Sequence, residues 1–110
     1  MTWIDRLLHR SPKPREPVEL DLHQQIALLT LARFGPCSFN RLFAEVSATR
    51  RTTQAELVNG VLKLESAAVI ERLAETNLTQ AQRRYTLTRR GKRIARYIPR
   101  EPRSAMEFYV

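Results

Sequence analysis

The chain has one cysteine, Cys37, so neither an intrachain disulfide nor a zinc site built from several cysteines can form. A reducing cytoplasm is the simplest compartment for such a chain. Only three glycines occur, at 35, 60 and 91, and they form no glycine-rich phosphate loop. The two histidines, His9 and His23, fall on separate segments with no Cys–His or Ser–His–Asp pattern beside them. No catalytic residue, metal ligand set or cofactor is therefore expected. No run approaches the roughly 18 apolar residues of a membrane span, so no stable membrane insertion is expected. Met1–Arg10 has the wrong order of charge and apolar character for a secretory signal. Acid is missing from one stretch in particular. Between Arg83 and Arg103 nine basic residues face a single acid, Glu101, and that stretch accounts for the whole formal charge of +8.

What is present suits one globular domain. The chain has 110 residues, with 43% hydrophobic and 27% charged, a balance that excludes intrinsic disorder. The strong positive charge favours an anionic partner. Thr2–His9 places Trp3, Ile4, Leu7 and Leu8 at helical spacing, a short amphipathic helix. Three prolines within Ser11–Pro17 then read as an extended linker. The expected organisation is an N-terminal segment and linker over 1–17, a domain over 18–99 and a tail over 100–110.

Within the domain, Asp21 and Gln24 form a capping-box pattern. Leu22, Ile26, Leu29 and Arg33 share a face, and Gly35-Pro36 stops the helix. Ser38 caps a second helix with Phe39, Leu42, Phe43 and Val46 as its apolar residues. Ser47–Thr52 reads as a polar turn. Thr53 and Glu56 form a second capping box, opening a helix that runs to about Ser66. Leu57, Val61 and Leu64 give its buried stripe, and Gly60 allows another helix to approach. Val69–Glu75 and Arg83–Thr88 are rich in branched and aromatic residues and read as a β-hairpin. Thr76–Gln82 between them suggests a loose loop. A final helix is expected from Thr88 to Ile98, where Pro99 ends it. The fold class is mainly α with a β-hairpin wing: a winged helix-turn-helix with a three-helix core, a two-stranded wing and a C-terminal helix.

Two segments carry a family resemblance. Leu64-Glu65-Ser66-Ala67-Ala68-Val69-Ile70-Glu71-Arg72 resembles the passage from recognition helix to wing in PadR-type and MarR-type winged-helix regulators. Arg84-Tyr85-Thr86-Leu87-Thr88-Arg89-Arg90-Gly91 resembles their second wing strand and its run into the next helix. The resemblance covers roughly Leu20 to Ile98. It implies DNA binding, commonly by a homodimer. The families carry a turn glycine where this chain has Ala68, which implies a slightly different turn here.

The DNA reading has a mechanism. Recognition helices enter the major groove by their N-terminal part. Counted from the Thr53 cap, the outward positions are Gln54, Ala55, Val58, Asn59 and Lys63. Gln and Asn bond adenine in pairs, and Val touches a thymine methyl. Glu56 is assigned to the cap rather than to cytosine. Arg50 and Arg51 precede the helix, within reach of groove-rim phosphates, and Arg83 and Arg84 sit where a wing grips backbone. The expected DNA-binding set is Arg50, Arg51, Thr53, Gln54, Val58, Asn59, Lys63, Arg83 and Arg84. The basic residues of the last helix read chiefly as a solvated face. Cys37 reads as a small buried or half-buried residue rather than a redox sensor. Trp3, Ile4, Leu7 and Leu8 need cover from a second subunit or from the domain itself. Phe108–Val110 reads as a docking segment or as disorder. The functional expectation is a cytoplasmic, dimeric regulator of transcription, a repressor or accessory factor, bound to double-stranded DNA. The alternative is a winged-helix interaction module that docks a protein partner through its terminal segments.

Overall fold

Helix α1 (Leu22–Phe34) begins where the capping box predicts. The Asp21 carboxylate accepts from Gln24 N at 2.8 Å, and Gln24 Oε1 accepts from Asp21 N at 2.9 Å. Gly35 ends it at φ +76°, with its N–H on Leu31 O. The computed structural model describes residues 17–74 and 79–109, so the expected Trp3 helix lies outside the described residues.

Among the described residues, five strands and three further helices accompany α1. Strand β1 (Val18–Leu20) precedes α1, and β2 (Cys37–Ser38) follows it. Helix α2 (Phe39–Thr49) is capped by Ser38 Oγ, which accepts from Arg41 N at 3.2 Å. Helix α3 (Gln54–Ser66) leads into β3 (Ile70–Arg72), β4 (Arg84–Leu87), α4 (Arg89–Ala95) and β5 (Met106–Phe108). One antiparallel sheet has the order β2-β4-β3, and a second joins β1 to β5. This is the winged helix-turn-helix order, with a two-residue strand added to the expected two-stranded wing.

Helix α1 is the hub rather than a helix with one apolar face. Gln24, Gln25, Ala27, Leu28 and Leu31 are buried, while Leu22 and Leu29 are only half-buried. The reason is that α2, α3, α4 and β4 all pack against it. Its buried amide nitrogens find partners across the fold, while Gln25 Oε1 is buried without one. Gln24 Nε2 donates to Gly60 O at 3.2 Å, where a Cβ on Gly60 would touch the Gln24 side chain. Gln25 Nε2 donates to Leu20 O and to Ser104 O, at 3.2 and 2.8 Å.

Three expectations need correction. The C-terminal end is neither free nor disordered at 106–108: Val18 pairs with Phe108 and Leu20 with Met106, and Phe108 is buried. An apolar strand edge beside β1 explains this, because it completes a ladder that β1 alone lacks. The expected loose loop before β4 contains a 3₁₀ turn over Gln80–Gln82, held by Thr79 N donating to Gln82 Oε1 at 3.2 Å. The last helix stops at Ala95, and single turn bonds, Tyr97 N to Ile94 O and Ile98 N to Ala95 O, carry the chain to Pro99.

The turn after α3 is the left-handed turn itself, made with alanine. Ala68 takes φ +58°, a conformation that costs an L-residue with a Cβ about 1–2 kcal/mol. Thr88 N donates to Val69 O at 3.1 Å, Thr88 Oγ1 to Ala68 O at 2.5 Å, and Arg90 Nη1 to Ala67 O at 2.6 Å. Gly91 is pressed against the same strand, and a Cβ there would collide with Val69 O.

Ala68→Gly is expected to raise the unfolding free energy by about 1 kcal/mol, because glycine removes the left-handed penalty. Gly91→Ala is expected to lower it by about 3 kcal/mol or more, since backbone must move to admit the methyl. Urea unfolding curves of the two variants, opposite in sign, check both.

Candidate nucleic-acid interface

The connection between α2 and α3 is extended. Arg50 closes α2 with φ −143° and its N–H on Val46 O, and Thr53 opens α3 with φ −106°. Thr53 Oγ1 accepts from Glu56 N at 3.2 Å. Only this half of the expected capping box forms. The Glu56 carboxylate instead accepts from the Thr52 hydroxyl at 3.3 Å, which ties the turn to the first helical turn. A contact from far away fixes the same turn: His23 Nε2 lies 3.3 Å from Arg51 O. No local signal in the sequence announces it, since 28 residues separate the partners.

On α3 the buried positions are Leu57, Gly60, Val61 and Leu64. Gln54, Ala55, Asn59 and Lys63 are exposed on the remaining surface, and Arg50 and Arg51 are exposed just before it. Val58 is different. It is half-buried and packs on the core, so only part of its side chain faces out. Leu62, whose spacing beside Val61 predicts an edge of the buried stripe, is 49% exposed and belongs to the outer face. An exposed leucine on a polar helix face is the feature that residue counting missed.

Arg83 and Arg84 do not join this group. Register pairs Arg84 with Ser38 and Tyr85 with Cys37, while Phe39 N donates to Arg83 O at 2.8 Å. Both therefore sit beside the first turn of α2, whereas Arg50 and Arg51 sit beyond its last. Eleven helical residues separate the two pairs, a length of roughly 16 Å. Arg83 is half-buried and its Nη1 donates to Gln80 Oε1 at 3.0 Å. Arg84 is exposed on the central strand. On the wing's other strand, Arg72 reaches Glu65 of α3 at 3.3 Å, a surface pair worth at most about 1 kcal/mol. Arg41 lies 4.3 Å over the Phe34 ring and adds a cation near the start of α2.

Cys37 is buried on β2 and its Sγ contacts Gly35 O. Burial pushes its thiol up from the ordinary value, against the opposing pull of Arg41 and Arg84. Among the described residues no three His, Cys, Asp or Glu side chains gather into a metal-holding group. Among them, too, no helix is long and apolar enough to cross a membrane.

No family model and no curated protein matches the sequence. Solved structures do match the fold. Rv1404 of Mycobacterium tuberculosis aligns at TM-score 0.60 and 22% identity, over 72% of this chain and 50% of that one. BpsR of Bordetella bronchiseptica, whose DNA binding is regulated by 6-hydroxynicotinic acid, aligns at 0.59 and 17%, over 86% and 74%. ZitR of Lactococcus lactis, a zinc-responsive MarR family member, aligns at 0.59 and 17%, over 86% and 65%. The chain thus spans about half of Rv1404 and about two-thirds of ZitR. What the chain shares with these structures is the winged-helix fold, which ZitR shows in a MarR family member; nothing in these likenesses singles out the PadR type.

The Cys37 thiol is expected to resist Ellman's reagent in the folded protein and to react fully in denaturant. Rapid modification of the native chain, at the rate of a free thiol, would contradict a buried, protonated side chain.

Proposed function

We propose that this protein binds double-stranded DNA through α3 and regulates transcription as a homodimer in the cytoplasm, without catalysing a reaction. One observation carries the reading: α3 turns Gln54, Ala55, Asn59 and Lys63 outward, directly after two exposed arginines. Amide side chains read adenine in the major groove, and the guanidinium groups of Arg50 and Arg51 neutralise phosphates on its rim. Thr53 keeps its hydroxyl on the helix cap, so its contact to DNA is through its position at the helix N-terminus. Val58 offers a partial apolar surface to a thymine methyl. Arg83 and Arg84 meet the backbone on the side where α2 begins, so the duplex is gripped on both flanks of the helix-turn-helix. Support also comes from the neighbouring folds, one of which, BpsR, binds DNA.

The interaction-module reading is weaker. It drew on both terminal segments, and one of them is used within the fold, with Phe108 buried against β1. In a dimer the two α3 helices should meet half-sites about 34–36 Å apart, one turn of the duplex.

Footprinting on genomic fragments at moderate salt tests the proposal. Protection of a roughly palindromic site is expected, and no preference among duplexes would refute it. Arg50→Ala and Arg51→Ala should each weaken every sequence alike and reduce the slope of log affinity against log salt by about 1. Asn59→Ala should instead relax preference at one base pair, by about 1–3 kcal/mol. Equal loss on all sequences from Asn59→Ala would move that residue from base reading to backbone contact.

A further inference from the structure

Among the described residues four large hydrophobic side chains stand exposed: Phe34, Leu62, Tyr97 and Tyr109. The Phe34 ring has the Arg33 and Arg41 guanidinium groups over it, and the Tyr109 hydroxyl donates to Glu107 Oε2 at 2.9 Å. Leu62 is the aliphatic member of the set, and it lies on α3. One exposed leucine is ordinary on a protein surface. Its position on this particular helix is what gives it a meaning.

Helical spacing sets that position. Leu57, Gly60, Val61 and Leu64 are buried, so the line opposite them runs through Ala55, Asn59, Leu62 and Ser66, all exposed. This line carries no charge. Val58 precedes Leu62 by one helical turn and Ala55 by two, so the three form an apolar strip beside the Asn59 amide. Glu65, on the next turn, holds its carboxylate on Arg72 at 3.3 Å, which leaves a neutral pair rather than a bare acid beside the leucine. The strip is far too small for a protein partner, whose interface takes roughly 800 Å² on each side. It matches a smaller target. A leucine side chain has neither donor nor acceptor, so the one feature of a base edge in the major groove that it can favour is the C5-methyl group of thymine.

We propose that Leu62 packs against a thymine methyl in the major groove and so sets the base preference next to the pair that Asn59 reads. The inference rests on the proposed reading of DNA by α3. Asn59 and Leu62 are three residues apart, roughly 4.5 Å along the helix axis, close to one base-pair step of about 3.4 Å. Each half-site therefore holds two neighbouring A·T pairs. One gives its adenine to the Asn59 amide and the other gives its methyl to Leu62. Val58, half-buried and packed on the core, backs the leucine and adds the smaller apolar contact.

Thymine and deoxyuridine bases differ only by that methyl, which makes the contact measurable. A duplex selected by the full chain from a random-sequence library is resynthesised with deoxyuridine at one thymine position at a time. For the wild-type chain, one position in each half-site is expected to lose affinity by about three- to tenfold. Leu62→Ala, a change at an exposed side chain, should bind the thymine and deoxyuridine duplexes alike at that position. Asn59→Ala should keep the thymine preference there. Selection of a site in which no thymine methyl acts through Leu62 would overturn the inference and leave DNA reading by α3 in place. A Leu62→Ala chain that keeps the difference between thymine and deoxyuridine, and shows weakened self-association by sedimentation, would equally overturn it, since Leu62 then serves a subunit contact. Failure of the wild-type chain to select any duplex would overturn both this inference and the reading beneath it.

Discussion

The geometry of this protein depends on one junction, where the last turn of α3 meets the start of α4. Three consecutive carbonyls, from Ala67 to Val69, receive Arg90, Thr88 Oγ1 and Thr88 N in turn. Gly91 closes the same contact, lying so near Val69 O that only a residue without Cβ fits. A helix end leaves its final carbonyls without partners. Here the N–H groups of Ala67, Ala68 and Val69 take up Lys63 O, Glu65 O and Leu64 O, and the start of α4 bonds the carbonyls just beyond them, with the wing strung between the two. The direction in which the wing leaves α3 is therefore set by hydrogen bonds to backbone, not by side-chain packing alone. The left-handed Ala68 is stable only because that ring of contacts holds it.

A second constraint acts at the other end of α3. The turn before it is short and extended, and an extended turn of four residues has little to hold it. Two contacts do so: Thr52 on Glu56, and Arg51 O beside His23 of α1. The first is local and the second spans the core. With α1 buried on several sides and Gln24 bonded to Gly60, α3 is held against a central helix at its start and its middle. An outward face that is rigid in this way loses little entropy when it meets a ligand surface.

Much of this fold was legible in the sequence because its punctuation is local. Asp21, Ser38, Thr53 and Thr88 each cap the helix that follows, and each is a residue type whose side-chain oxygen accepts a helix N–H. The paired motifs around Ala68 and Gly91 also read correctly as the passage through the wing. What escaped was non-local. The two-residue strand β2 exists only because β4 lies beside it, and β5 only because β1 does. Neither is long enough to show a period. The even burial of α1 escaped for the same reason, since a helix contacted on several sides presents no single stripe. At the candidate interface, Gln54, Asn59 and Lys63 could be read from periodicity. The separation of Arg83 and Arg84 from Arg50 and Arg51 could not, because it follows from strand register.

The charge distribution acquires a different meaning once these partners are known. Helix α3 itself carries Glu56, Glu65 and Lys63, so it has little net attraction for a polyanion. The surplus lies between Arg83 and Arg103, and part of it is consumed inside the molecule. Arg90 caps α3, and Arg83 is bonded to Gln80. Arg89, Lys92, Arg93, Arg96, Arg100 and Arg103 remain on the surface. Long-range attraction acts on the whole charge of the molecule, whereas discrimination between bases requires short contacts. If α3 reads DNA as proposed, a near-neutral α3 face on a strongly basic body separates the two tasks. On the proposed function, the body raises the encounter rate with any duplex and makes it salt-dependent. On the same reading, the α3 face adds affinity only where amide and methyl groups find their partners.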